Sequence, residues 1–210
     1  MRQKITAVEM ALASFGKAID DQVRQDVMDL MLYADISASE KYDKNQQASR
    51  WMNYYQNRII KFGCTLEAFI VPDMVIVSDL QGFNEIDFKM QGGTGSAELV
   101  ELANNSFSKL QINKRAIDFF RGYSGSERTV MVNITSCELT KQGRLLLLFC
   151  GVILSSSIEV KQFFFDSETF YDLTVQPNGG AFLFDQAKYA LHREDIIRKL
   201  DEAASDAWTR

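Results

Sequence analysis

The run at 145–154, LLLLFCGVIL, constrains the fold more than any other feature of the chain. Its even positions are Leu146, Leu148, Cys150, Val152 and Leu154, and its odd positions are Leu145, Leu147, Phe149, Gly151 and Ile153. An antiparallel strand with one wet face alternates apolar and polar residues, so a strand that is apolar on both alternations belongs in the middle of a sheet, with protein packed on each side. The run is too short to cross a bilayer as a helix, which takes about 20 apolar residues. The triplet Phe163, Phe164 and Phe165 repeats the pattern.

Around this strand the chain from Arg128 onward predicts an antiparallel meander, with strands near 128–139, 144–154, 158–165, 169–175 and 181–185. Turn chemistry separates them at Gly143, at Asp166 and Ser167, and at Pro177, Asn178, Gly179 and Gly180. Ahead of the meander, the first 63 residues predict three helices. Thr6 and Glu9 have capping-box spacing before a stripe of Ile5, Val8, Leu12, Phe15 and Ile19. A second helix over 20–34 turns Val23, Val27, Leu30, Met31 and Ala34 inward, with Asp20 and Asp21 at its positive end. A third starts after Ser37 or Asp43, carries Ala48, Trp51, Met52, Tyr55, Ile59 and Phe62 on one side, and stops at Gly63.

Between these regions, 66–71 and 74–80 are β-rich runs divided by Pro72 and Asp73, which predicts a hairpin. A loop over 81–95 leads into helical spacing at Leu99, Leu102, Ala103, Phe107 and Leu110, and a short helix near 114–121 precedes a break at 122–126. Residues 186–208 predict one closing helix docked on the sheet. The expected fold is therefore α+β: amino-terminal helices, a central antiparallel β-meander covered on both faces, and a carboxy-terminal helix, all in a single domain over 1–210.

Composition bears on partners. A net charge of -5 argues against nucleic acid, whose recognition rests on neutralising many phosphates with Lys and Arg. The three cysteines, Cys64, Cys137 and Cys150, cannot all pair within one chain and match no zinc spacing, which points to a reducing, cytoplasmic setting. Glu9 interrupts the first apolar stretch, so a secretory signal is not expected.

Candidate chemistry is sparse. The chain has one histidine, so any Ser-His-Asp or Cys-His device must use His192, which Asp195 would orient; the competing reading is a surface histidine on a charged helical turn. Cys64, at a helix-to-strand junction, is the most plausible reactive thiol, whereas Cys137 and Cys150 fall in strands and read as small packed hydrophobes. Gly92, Gly93, Gly95 and Ser96 open a helix and could offer N–H groups to an anion, without the Lys-Ser/Thr pair of a P-loop. The carboxylates Glu85, Asp87, Asp166, Glu168 and Asp172 read as solvated turns, and neither a metal nor a cofactor is expected. Tyr54, off the inward stripe of its helix, and Trp208, near the chain end, are the candidates for a partner contact.

Three functions follow in order. The first is a non-enzymatic binding or accessory protein acting through protein–protein contacts, with a partner or with itself. The second is a small enzyme of unfamiliar type using Cys64 or His192. The third is a membrane-associating protein acting through its amino-terminal amphipathic helices, for which Lys4 and Lys17, set against Glu9, supply little basic character.

Overall fold

In the computed structural model, which describes residues 12–15, 18–71, 73–92, 97–109, 111–122, 128–160, 163 and 172–208, the 145–154 run lies where its pattern places it. The elements in chain order are β1 (Leu12–Phe15), α1 (Asp21–Ser39), α2 (Ala48–Lys61), β2 (Cys64–Ile70), β3 (Val75–Val77), α3 (Leu80–Asn84), β4 (Met90–Gly92), α4 (Ala97–Lys109) and α5 (Ile112–Gly122). They continue with β5 (Thr129–Leu139), β6 (Leu145–Ser156), β7 (Leu173–Phe184), α6 (Gln186–Ala190) and α7 (Arg193–Trp208). The strands form one sheet in the order β1-β5-β6-β7-β2-β4, with β3 also paired to β7. All of these pairs are antiparallel except β1 with β5.

β6 sits between β5 and β7, and every residue from 145 to 154 is buried. Its alternation divides the core. Leu146, Leu148, Cys150, Val152 and Leu154 pack with Phe83 of α3, Ala103 of α4 and Ala116 of α5. Leu145, Leu147, Phe149 and Ile153 pack on the other face with Leu30 of α1, Trp51 and Met52 of α2, Tyr189 of α6 and Ile196 of α7. The result is an α+β fold with helices on both faces of a central, mostly antiparallel sheet. Gly151 is the one position of this strand without a side chain to offer, and a Cβ there would collide with the end of Met52, so the glycine lets α2 settle against β6.

Several expectations are corrected. Residues 12–15 are not helical; they form β1, held by parallel pairing of Leu12 to Ile134 through Phe15 to Cys137, and the rest of the expected first helix before residue 12 lies outside the described residues. No hairpin joins 64–70 to 75–77. Both strands pair antiparallel with β7, so they run in the same direction along one edge, β2 opposite 180–184 and β3 opposite 173–175. The loop expected over 81–95 contains α3, capped by the Asp79 side chain accepting from the Gly82 N–H at 2.6 Å, and β4. Val160 and Phe163 are helical, where a strand over 158–165 was expected. The closing helix is broken into α6 and α7 at 191–192.

The largest correction concerns Pro177, Asn178, Gly179 and Gly180, which do not turn the chain but lie inside the single strand β7. Residues 176–179 face the gap between the ends of β2 and β3, where no partner strand is registered, and a proline without an N–H is tolerated at such a break. Gly179 has φ +144°, and a Cβ on it would meet the Phe149 carbonyl oxygen of β6. Glycine chemistry that resembles a turn therefore serves close strand packing.

Candidate functional site

α1 and α2 are joined by a short, locally determined connection. Lys41 and Tyr42 donate their N–H groups to the Ala38 carbonyl at 3.1 and 2.9 Å, and the Asp43 carboxylate accepts from the Asn45 and Gln46 N–H groups at 2.9 and 2.6 Å, an Asx turn that aims the chain into α2. The inner side of α2 is anchored by an aromatic column: Trp51 stacks on Tyr55 at 5.1 Å, and Tyr55 stacks on Phe149 of β6 at 4.7 Å. The Trp51 Nε1–H donates to Ser39 Oγ at 3.0 Å, tying α2 back to α1. Gln56 adds a polar tie to β7, donating to Asn178 Oδ1 at 2.9 Å.

With that side fixed, the flank of α2 beside it is fixed too. Arg50, Tyr54, Arg58 and Lys61 recur at helical spacing and fall on one stripe that flanks the buried Trp51, Met52, Tyr55 and Ile59, with Arg50 and Lys61 exposed and Tyr54 and Arg58 half-buried. Tyr54 is the centre of this stripe. Lys41 Nζ lies 4.8 Å over its ring, the Arg58 guanidinium carbon lies 4.5 Å from the ring centroid, Arg58 also donates to the Tyr54 hydroxyl, and Tyr42 meets it edge-on at 5.8 Å. Arg50 is exposed and has no hydrogen-bond or ion-pair partner among the described residues. Residues 41–61 hold five cations, Lys41, Lys44, Arg50, Arg58 and Lys61, against Asp43 alone; this +4 leaves -9 on the remainder of a chain whose net charge is -5. At its amino-terminal end the stripe runs into a groove of about 920 Å³, lined by Asp43, Gln46, Arg50, Arg128, Ser155 and Gln176 among others.

The sequence-level candidates are dispersed. Cys64 starts β2, is 1% exposed, and burial pushes its thiol up to about 12 against a weaker opposing pull from Lys188. Cys137 and Cys150 are likewise buried, and burial raises both. His192 caps the start of α7, its backbone carbonyl accepting from the Ile196 N–H at 3.0 Å, and its ring packs edge-on against Phe62 at 5.2 Å. Among the described residues no hydrogen bond joins that ring to a carboxylate; Asp195 is exposed and pairs with Arg198 at 3.3 Å. Gly92 ends β4 opposite Ala68, while Gly93, Gly95 and Ser96 lie outside the described residues. Trp208 closes α7, and its side chain lies outside them as well. Among the described residues, Tyr54 is therefore the one sequence candidate that the structure joins to other candidate contact groups. Sequence reasoning missed Arg50, Arg58 and Lys61, although their helical spacing around Tyr54 was available. Among the described residues no group of three or more His, Cys, Asp and Glu side chains is placed to hold a metal ion, and no helix is long and apolar enough to cross a membrane.

The fold and this face define an α+β protein with a cationic, aromatic helix surface. No family model matches the chain, and no curated protein does. Among solved structures it is similar to one described as "DELTA-ENDOTOXIN", at 10% identity and a TM-score of 0.41, over 88% of this chain and 86% of that one. It is also similar to one described as "Structure of the Evf virulence factor", at 11% identity and a TM-score of 0.39, over 92% of this chain and 78% of that one. Neither likeness bears on what this chain binds.

Proposed function

We propose that this chain is a non-enzymatic binding protein that works through protein–protein contacts, and that the outward face of α2 receives an acidic segment of its partner. The observation that carries the reading is the stripe of Arg50, Tyr54, Arg58 and Lys61, set in a segment of charge +4 on an otherwise acidic chain. Arginine forks suit carboxylates, and a tyrosine held among cations supplies rigid apolar area at little entropic cost, the mixture that dominates binding energy at protein interfaces. The stripe spans twelve residues of helix, about 16 Å from end to end, which matches a short peptide segment. A nucleic-acid backbone or a lipid surface extends well beyond that length and would meet the negative remainder of the chain.

The test uses a fluorescently labelled peptide rich in glutamate, about 12 residues long so that as a helix it covers the stripe, titrated with the full chain and read by anisotropy. Binding should weaken steeply with salt, and Arg50→Glu with Arg58→Glu should weaken it at least about tenfold, or about 1.4 kcal/mol. Tyr54→Ala should weaken it with less salt dependence. A peptide that fails to bind, or binds the reversed-charge variant equally well, removes the reading.

A further inference from the structure

A second surface stands out at β3 and the residues flanking it. Met74 and Ile76 are each 63% exposed, and Phe69 and Leu80 add 39% and 37%. These four large apolar residues fall within twelve positions of sequence, where scattered single exposures would need no explanation. β3 pairs only with β7 among the described residues, so its other edge carries no ladder. Unpaired edges of this kind are normally blunted by lysine or proline, or covered by another element. Here the charge is of the opposite sort. Residues 69–89 contain Asp73, Asp79, Glu85 and Asp87, all exposed, against Lys89 alone, which pairs with Asp87 at 2.6 Å.

The α2 face and this edge are complementary in two respects. One has a half-buried aromatic, Tyr54, set among Lys41, Arg50, Arg58 and Lys61; the other has the exposed aliphatics Met74 and Ile76 in a segment that also carries Asp73, Asp79 and Glu85. An apolar core within a polar rim is the anatomy of a specific interface, and opposite charge fixes its register. Because one chain carries both halves, we infer that the acidic segment received by α2 is the β3–α3 edge of a second copy of this chain, so that copies join head to tail. This rests on the reading of α2 given above and names its partner. Docking α2 of one copy over β3 of the next also covers the free edge with a helix. The contact uses different patches on the two copies, so it is heterologous, and it builds rings or open chains rather than a symmetric pair.

The test is sedimentation of the full chain at about 100 μM, a concentration at which contacts of micromolar strength are populated, in about 0.05 M and about 0.5 M salt. The wild-type chain should sediment at no less than twice the monomer mass at low salt and fall toward monomer at high salt. Arg50→Glu with Arg58→Glu, and separately Asp73→Lys with Ile76→Asp, should each leave a monomer with an unchanged circular dichroism spectrum. Mixing the two variants restores one intact junction per pair, so the mixture should give a one-to-one heterodimer and nothing larger. A monomeric wild-type chain at low salt overturns the inference, as does assembly that survives in either variant or a mixture that stays monomeric. If the wild-type chain is monomeric yet the glutamate peptide still binds through Arg50 and Arg58, the α2 reading stands and only the second copy is ruled out; if the peptide also fails, both fall.

Discussion

Cys64 stands where α2 gives way to β2, and its side chain is buried against Tyr189 and Phe184 in the core on the α1 and α2 side of the sheet. Burial withholds the water a thiolate needs, and Lys188 is too weak a counterweight, so the thiol rises from 9.0 to about 12. The consequence for stability has a definite sign. Below about pH 9 the thiol is protonated in both folded and unfolded chains and contributes no pH dependence. Between about pH 9 and 12 the unfolded chain releases the proton while the folded chain keeps it, so stability falls as pH rises, by up to about 1.4 kcal/mol per pH unit for this one group. Cys137, Cys150 and Tyr55 are raised by burial as well and pull in the same direction. Urea midpoints measured from pH 7 to about pH 11 should be flat at first and then decline. In Cys64→Ala the decline should be shallower, at the cost of a small cavity that lowers the whole curve. A slope identical to that of the wild-type chain would show that the thiol ionises as freely in the folded protein as in the unfolded one.

At the scale of elements, a charged pair between Arg193 and Asp26 joins α7 to α1, beside a Lys199 contact with Tyr33. The Arg193 guanidinium donates to both oxygens of Asp26 in α1, at 2.9 and 2.6 Å, and the Gln22 amide donates to the same carboxylate at 2.9 Å. The Asp26 side chain is 1% exposed and the Arg193 side chain 31%. Removing the arginine strands a buried carboxylate, a change that costs about 3–5 kcal/mol for fully buried pairs; with a third of Arg193 still in water, Arg193→Ala should cost about 2–4 kcal/mol. Amide exchange in α7 should accelerate more than in β6. The double substitution Asp26→Leu with Arg193→Met, which replaces the pair by apolar groups of similar size, should recover most of the loss. A single variant within about 0.5 kcal/mol of the wild-type chain would show that Ile196, Leu200 and the Lys199 contact with Tyr33 hold α7 without the pair. This joint was not legible in the sequence, since a carboxylate in α1 and an arginine 167 positions later share no local signal. The inward stripes of α1 and α2 were legible, because Val27, Leu30, Trp51, Met52 and Tyr55 recur with the period of a helix that has one side to bury. The span 177–180 was misread for a physical reason. Pro-Asn-Gly-Gly is what a turn requires, and it is also what a strand requires where a partner is missing on one edge and a carbonyl presses close on the other; only the tertiary neighbours, the β2–β3 gap and Phe149, separate the two.

At the scale of the whole molecule, one pattern of alternation organises both layers. The even residues of β6 face α3, α4 and α5, the odd residues face α1, α2, α6 and α7, and neither helical layer has a core of its own without the strand between them. Charge is segregated over the same frame. Lys41, Arg50 and Lys61 ride on the outside of one layer while Lys44 pairs with Asp35, which is why the group was not legible as a site: a charged outer helix face is the ordinary state of a solvated surface, and only its contrast with the acidic 69–89 edge gives it meaning. The shared strand has a measurable consequence. The β6 amides point alternately to β5 and to β7, so exposing the set requires opening both ladders, each running nearly the full strand, and stripping both helical layers, which amounts to global unfolding. β4 has a three-residue ladder to β2, and β1 a four-residue ladder to β5, so each can open locally. Native-state hydrogen exchange should therefore rank the amides of Leu146 to Leu154 as the most protected, with an opening free energy equal to the global value from urea unfolding. The amides of 90–92 and 12–15 should exchange with opening energies several kcal/mol lower, and should respond little to low denaturant because their opening exposes little surface. Protection in β6 no greater than in β4 would mean that the sheet opens at its centre, and the two faces would then not be coupled through this strand.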